Sequence, residues 1–268
     1  MTADKAVPVL MYHEIASATD TASRLAVPPD AFAAQLSYLH DHGFTPLTAG
    51  RLAAALASEG QGLPARPIVL TFDDGFADFH ASALPLLRRY GFVATLFVTT
   101  GWIQDAGPMS AGRRPGRMLT WSQIAEAAGA GIEIGAHSHQ HPQLDQLPDR
   151  RLRPEVYGCK AQLEDRLGNE VPGLAYPFGY SSAKVRQAVR DAGHRYAYAV
   201  GNLIAAAGLD PFALPRLTVR RSTSPAEFAE IAHGRDLPAI YRKDHALTKG
   251  FAMVRRTRST LGRITHGT

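Results

Sequence analysis

Residues 68–75 read IVLTFDDG, an apolar, β-branched run that ends in two adjacent carboxylates and a glycine. A short apolar run bounded by a turn signal describes a buried strand, and a buried strand delivering Asp73 and Asp74 side by side is costly. The two charges repel, and each resists desolvation unless a cation or a proton is shared between them. A second run, GIEIG over residues 131–135, leads into AHSHQHP, which places His137, His139 and His141 after another strand. One carboxylate and two imidazoles, with a spare carboxylate beside them, form the donor set of an open catalytic metal site rather than a closed structural one. Each piece also has an ordinary reading. A DD pair before glycine suits a solvated turn, and histidines four apart arise by chance in a chain with 11 His. Both clusters, however, follow an apolar strand and precede a turn, and that pairing favours the metal.

Outward from these runs the chain alternates between two periods. Apolar runs predict strands at residues 7–11, 68–72, 93–98, 132–135, 174–177, 195–200 and 212–219. Helical spacing predicts helices over 30–42, 49–58, 81–90, 121–130, 155–167, 181–192 and 225–233. Gly43, Gly91, Gly168 and Gly193 close four of them. Residues 101–118, polar, basic and rich in glycine and proline, read as a long loop. Strands alternating with helices imply a parallel sheet covered by crossover helices. Seven evenly spaced strands suit one domain better than two, so the expected fold is α/β, a single-domain, distorted seven-stranded (β/α) barrel. Residues 1–240 form the domain and residues 241–268 a basic C-terminal tail. In such barrels chemistry lies on the loops after the strand C-termini, where the DD, histidine and YPFG turns all fall.

Composition narrows the setting. With 268 residues, 45% of them hydrophobic, the chain can bury a sizeable core. It holds no apolar run of membrane-spanning length, and its start, MTADKAVPVLMYHEI, lacks the features of a secretory leader. The single cysteine, Cys159, forms no internal disulfide and suits helix packing in a reducing compartment. A cytoplasmic location is therefore expected. The net charge of +5 is concentrated in RRPGR at 113–117 and in the tail from Arg242 to Arg263. No aromatic-interleaved basic platform accompanies it, so nucleic acid is not an expected partner. The tail leaves peripheral contact with an anionic membrane surface open.

At TFDDG (71–75) and HSHQHP (137–142) the chain resembles the polysaccharide deacetylases, the NodB-homology carbohydrate esterases of family 4. Those motifs match the family's TFDDG and H-[ST]-x-x-H-P in full. The likeness covers roughly residues 5–235. The phrases LMYHEI, WSQI…GIEIGAHSH and AYPFG look closest to the branch of exopolysaccharide poly-N-acetylglucosamine deacetylases. The resemblance implies Asp73 as general base, and Asp74, His137 and His141 as ligands of a divalent metal. Zinc suits that set best, and cobalt, nickel or iron also fit it. His139 falls at a variable position of the motif. The family's third motif is an Arg-x-Pro-Tyr-like turn, whose arginine orients the catalytic aspartate and whose aromatic backbone N–H helps bind the oxyanion. Here the turn is Ala175-Tyr176-Pro177-Phe178-Gly179, with Ala175 where the arginine would stand. Arg216, ending FALPR, is the expected substitute, and Phe178 the oxyanion donor. The family's late Leu-x-His segment is absent, since His233 lies in a helical run and His245 in the tail. His13, of MYH, is the candidate acid or its partner. Trp121, Tyr176 and Tyr180 are candidates for stacking on a sugar. The implied activity is metal-assisted removal of N-acetyl groups from an N-acetylhexosamine-containing glycan, a lipid-linked precursor included. Alternatives are an amidase of the same fold acting on a small N-acyl or cyclic amide, and a non-catalytic carbohydrate-binding relative.

Overall fold

The structure is a computed structural model that describes residues 6–245. Its elements run β1 (Ala6–Val7), β2 (Val9–Tyr12), α1 (Pro29–Asp41), β3 (Thr45–Leu47), α2 (Ala49–Ala57), β4 (Pro67–Phe72), α3 (Leu84–Tyr90) and β5 (Thr95–Val98). They continue with α4 (Trp121–Gly129), β6 (Glu133–Ala136), α5 (Asp149–Arg153), α6 (Cys159–Leu167), β7 (Gly173–Ala175), α7 (Ala183–Asp191) and β8 (Tyr196–Tyr198). The last are β9 (Ala205–Ala206), β10 (Leu217–Thr218), α8 (Pro225–Ala232) and α9 (Leu237–Ile240).

Seven strands lie in the order β10-β2-β4-β5-β6-β7-β8, every pair parallel, with β3 branching from β4. The edges meet through the segment before β10. Ala199 donates its N–H to the Leu214 carbonyl at 2.8 Å, and Leu214 donates to Ala197 at 3.1 Å, a parallel bridge between Tyr198 and Leu214. The sheet thus curls into a distorted seven-stranded barrel, as the sequence predicts.

Successive residues of a strand face opposite ways, and the two main apolar clusters sort by that parity. Leu10, Tyr12, Ile68, Leu70, Phe72, Leu96, Val98 and Leu174 pack outward with helix residues such as Phe32, Leu36 and Phe79. Val9, Val69, Phe97, Ala175 and Tyr198 fill the interior. Phe72 sits against Tyr12, Phe32 and Phe79 at ring separations of 5.3, 5.8 and 4.9 Å, so truncating it to alanine costs about 3–5 kcal/mol. Inside, Phe97 occupies the room left by Gly135, where a Cβ would lie 2.4 Å from the ring.

The N-terminal end of the barrel is plugged. Helix α2 buries Ala49, Leu52, Ala53 and Leu56 within the interior cluster. The Glu133 carboxylate there accepts from Gly50 N–H at 3.0 Å, Thr95 hydroxyl at 2.6 Å and Tyr196 hydroxyl at 2.7 Å. Only the C-terminal end remains open for chemistry.

Several boundaries differ from the sequence expectation for local reasons. The helices expected over 81–90 and 155–167 begin as π-helical turns at Phe79–Ala83 and Pro154–Gly158. The strand expected over 212–219 shrinks to Leu217–Thr218, because Pro215 has no N–H to give a ladder. The strand expected to reach residue 177 stops at Ala175. The loop 101–118 carries 3-10 turns at Thr100–Trp102 and Gly107–Met109. Tyr241 is fully buried and its hydroxyl donates to the Thr218 carbonyl at 2.9 Å, so packing extends past the expected boundary at 240. Residues 246–268, which carry most of the expected basic tail, lie outside the described residues. Among the described residues no helix is long and apolar enough to cross a membrane.

Candidate active site

The parity that fills the barrel also aims the site. Continuing 69 and 71 inward gives Asp73 after β4, continuing 135 gives His137 after β6, and 216 shares the inward face of Thr218 next to β10. Asp73 (2% exposed), His137 (1%) and Arg216 (0%) are accordingly buried at the C-terminal mouth. Arg216 donates from Nη1 to Asp73 Oδ1 at 2.6 Å and from Nη2 to Oδ2 at 2.8 Å. A third bond runs from Nη1 to Thr71 Oγ1 at 3.2 Å, and the guanidinium lies over the Phe97 ring at 5.6 Å. Burial alone would push the Asp73 carboxyl up. The Arg216 charge and the hydrogen bonds from that guanidinium, with His137 and His13 adding to them, instead hold it well below the usual carboxylate range.

Asp74 behaves oppositely. Burial, then the neighbouring Asp73 and Glu14 charges, push it well above the ordinary value. Among the described residues its buried Oδ1 has no hydrogen-bond partner, and it lies 3.4 Å from His137 Nε2 and 3.3 Å from His141 Nε2. Burial keeps both imidazoles neutral, with His141 pushed down to about 3. An orphaned carboxylate oxygen facing two neutral ring nitrogens is a donor set that suits a divalent cation. One ligand atom from each of Asp74, His137 and His141 lies within 4.8 Å of the others. His137 is oriented for this: its Nδ1 donates to the Ala175 carbonyl at 2.8 Å, which leaves the Nε2 lone pair free.

Four of the eight non-glycine residues with positive φ among the described residues sit here: Asp74 (75°), Ser138 (65°), His141 (59°) and Phe178 (59°). Strain of this kind, of order 1–3 kcal/mol per residue, collects at functional sites. A cavity of about 340 Å³ opens over the group, lined by His13, Leu25, Tyr176, Phe178, Val200, Thr218 and Arg220 among others, within the size range of ligand pockets. The His13 Nδ1 is buried and has no hydrogen-bond partner among the described residues, and burial pushes the His13 pKa down to about 4. Phe178 is 52% exposed at the rim, and its ring lies 4.7 Å from that of His141.

The sequence candidates divide accordingly. Asp73, Asp74, His137, His141, His13, Phe178 and Arg216 come together. The Tyr176 ring does not offer a stacking face: it is 0% exposed, and its hydroxyl donates to the Phe212 carbonyl at 2.8 Å. Following Ala175 on the inward face, it turns outward by parity. Trp121 and Tyr180 lie outside the cavity lining, and the Trp121 ring carries the Arg166 guanidinium at 5.4 Å. His139 bonds Thr100 Oγ1 at 2.9 Å, and His233 bonds the Tyr38 hydroxyl at 3.2 Å. Sequence reasoning missed Trp102, whose ring lies 4.9 Å from that of His141. It also missed Arg220 at the cavity wall and Glu155 beneath the histidine turn. An aromatic inside a polar loop was the available signal for Trp102.

With this geometry in place, a family model described as polysaccharide deacetylase matches residues 60–197, just over half of the chain. YxkH of Bacillus subtilis (strain 168), provisionally named a polysaccharide deacetylase, is 28% identical over 222 residues, covering 83% of this chain and 74% of that protein. The poly-beta-1,6-N-acetyl-D-glucosamine N-deacetylase of Escherichia coli (strain K12) is 24% identical over 165 residues, 58% of this chain and 24% of its own length. Among solved structures, the Streptococcus pyogenes deacetylase PplD in complex with acetate superposes with a TM-score of 0.75 at 28% identity. The match covers 85% of this chain and 98% of that one.

Proposed function

This chain belongs to the polysaccharide deacetylase family, and from that premise we propose that it hydrolyses N-acetyl groups of an N-acetylhexosamine-containing glycan with a divalent metal, best matched by zinc. The observation that carries the reading is the adjacency of two unlike carboxylates. Asp73 is clamped ionised by Arg216, and Asp74 faces His137 and His141 with an unpartnered oxygen. Pairs whose surroundings push their pKa values apart divide acid–base and ligand roles between them.

A divalent ion at Asp74, His137 and His141 supplies Lewis acidity, which makes water a better nucleophile and polarises an amide carbonyl. Asp73 accepts the proton of the attacking water through a lone pair that Arg216 leaves free. The Phe178 backbone N–H donates to the developing oxyanion, a contribution of about 3–4 kcal/mol for a well-placed donor. An amine leaves only when protonated. His13, neutral at rest, is the histidine of the cavity wall outside the ligand set, and it relays to the leaving nitrogen the proton that Asp73 takes from the water. Water adds to the carbonyl carbon, the C–N bond breaks, and acetate and the free amine depart. The Phe178 ring at the rim offers a face for a sugar.

Support for the substrate class comes from the N-acetylglucosamine polymer named for the E. coli relative and from the acetate bound to the streptococcal one. A lipid-linked precursor in the cytoplasm belongs to the same proposal, since a lone reduced thiol, Cys159, suits that compartment. Acetate release across soluble N-acetylglucosamine oligomers, a lipid-linked N-acetylhexosamine and small N-acyl amides tests the reading. Release from the small amides alone would replace it with the amidase alternative.

A further inference from the structure

We propose that Glu155 is the positioning residue of the histidine turn, holding residues 137–141 in a metal-ready shape; the inference rests on the metal reading above. The turn cannot hold itself. Ser138 and His141 both adopt left-handed backbone conformations, φ 65° and 59°, which side-chain-bearing residues avoid. On one side the loop after β5 grips it. Thr100 and Gly101 donate their N–H groups to the Ser138 and His139 carbonyls at 3.3 and 2.8 Å. Gly101 lies so close that a Cβ would sit 2.4 Å from the His139 oxygen.

On the other side the fixing group is a carboxylate. Glu155 Oε2 accepts from His139 N–H at 3.0 Å and from Gln140 N–H at 2.8 Å. Two consecutive backbone N–H groups converging on one oxygen form an anion-binding nest. Glu155 is 4% exposed and forms no ion pair among the described residues. A buried carboxylate without a cation is an expensive residue to keep, and here its hydrogen bonds go to the turn that carries two metal ligands. It stands in the π-helical turn Pro154–Gly158, which buries the consecutive residues Glu155 and Val156. Such turns are frequent at functional sites. Ser138 Oγ completes the frame by accepting from His141 N–H at 3.0 Å. The side chain thus acts on the metal through the backbone between its ligands, as outer partners of metal sites do.

Two substitutions separate position from charge. Glu155→Gln keeps an acceptor oxygen at the same reach and loses the charge. Glu155→Asp keeps the charge and withdraws the oxygen by one methylene. Zinc is titrated calorimetrically into the chelator-stripped chain and both variants, and urea unfolding is followed on the same metal-free proteins. The expected result is zinc affinity within about three-fold of wild type for Glu155→Gln and weakened about 10-fold or more for Glu155→Asp. Wild-type affinity in Glu155→Asp, even with lowered metal-free stability, would overturn the inference and leave Glu155 a structural residue. Weakening confined to Glu155→Gln would overturn it in favour of a charge effect, and equal weakening in both would overturn it as a general disturbance of the turn. Absence of zinc binding in the unmutated chain would overturn the metal reading and this inference with it.

Discussion

Arg216 and Asp73, separated by 143 residues of chain, form a fully buried fork in which both carboxylate oxygens accept from the guanidinium, at 2.6 and 2.8 Å. The turn where the family motif keeps its arginine holds Ala175 instead, and Ala175 contributes its carbonyl to His137. The guanidinium arrives from the segment that closes the barrel, at the same mouth. Replacing Arg216 by alanine strands a buried carboxylate, at a stability cost of about 3–5 kcal/mol. Without the guanidinium, the strongest of the groups that oppose burial, the Asp73 pKa rises, so the acid limb of kcat/KM should move to higher pH. The rate near neutrality should fall ten-fold or more, about 1.4 kcal/mol, with zinc affinity unchanged. Arg216→Lys, a point charge without the fork, should fall between. An unshifted acid limb in Arg216→Ala would contradict this assignment.

Asp73→Asn should abolish acetate release while leaving metal content near wild type, because the carboxylate oxygen that faces His137 and His141 belongs to Asp74. Elemental analysis of Asp73→Asn beside Asp74→Ala checks it. Equal metal loss in both would mean that Asp73 is itself a ligand, and loss in Asp73→Asn alone that the two roles are exchanged.

His13→Gln should lower kcat by about 10²–10⁴, the usual worth of a positioned acid, with little change in metal affinity. Proton delivery matters most for a poor leaving group, so an activated N-acetyl or ester substrate should be much less affected. A uniform loss across leaving groups would place His13 in a supporting role.

Much of this site was legible because TFDDG and HSHQHP each follow an apolar strand and Arg216 ends FALPR, so all three fall at strand ends. Which face of a strand each residue takes was not read: parity puts Asp73, His137 and Arg216 inward and turns Tyr176 outward, so the aromatic type was seen and its face was not. Glu155 and Trp102 could not be found in this way. Each meets the site across tertiary contacts between loops and helices that no periodicity encodes, and the π-helical turn at Pro154–Gly158 breaks the helical phase around Glu155. β3 escaped because three residues, Thr45–Leu47, are too short a run to show alternation.

His194 provides a pH test away from the metal. It is 4% exposed, and burial, with the Lys160 charge, pushes it down to about 3. The unfolded chain binds this proton near pH 6.5 and the folded chain does not. The contribution is therefore fully present above pH 6.5 and is lost as pH falls from there toward 3. Between pH 7 and 5, His194→Leu should lose about 2 kcal/mol less stability than wild type, at about 1.4 kcal/mol per pH unit. Urea unfolding at the two pH values measures it. Parallel losses in the two proteins would show that His194 takes up its proton without unfolding.

The most direct test of the whole account is acetate release from an N-acetylglucosamine oligomer by the chelator-stripped chain, before and after stoichiometric zinc. Release should be absent from the stripped protein, return with zinc, and fail to return in Asp74→Ala. Full activity in protein shown by elemental analysis to be metal-free would contradict the account.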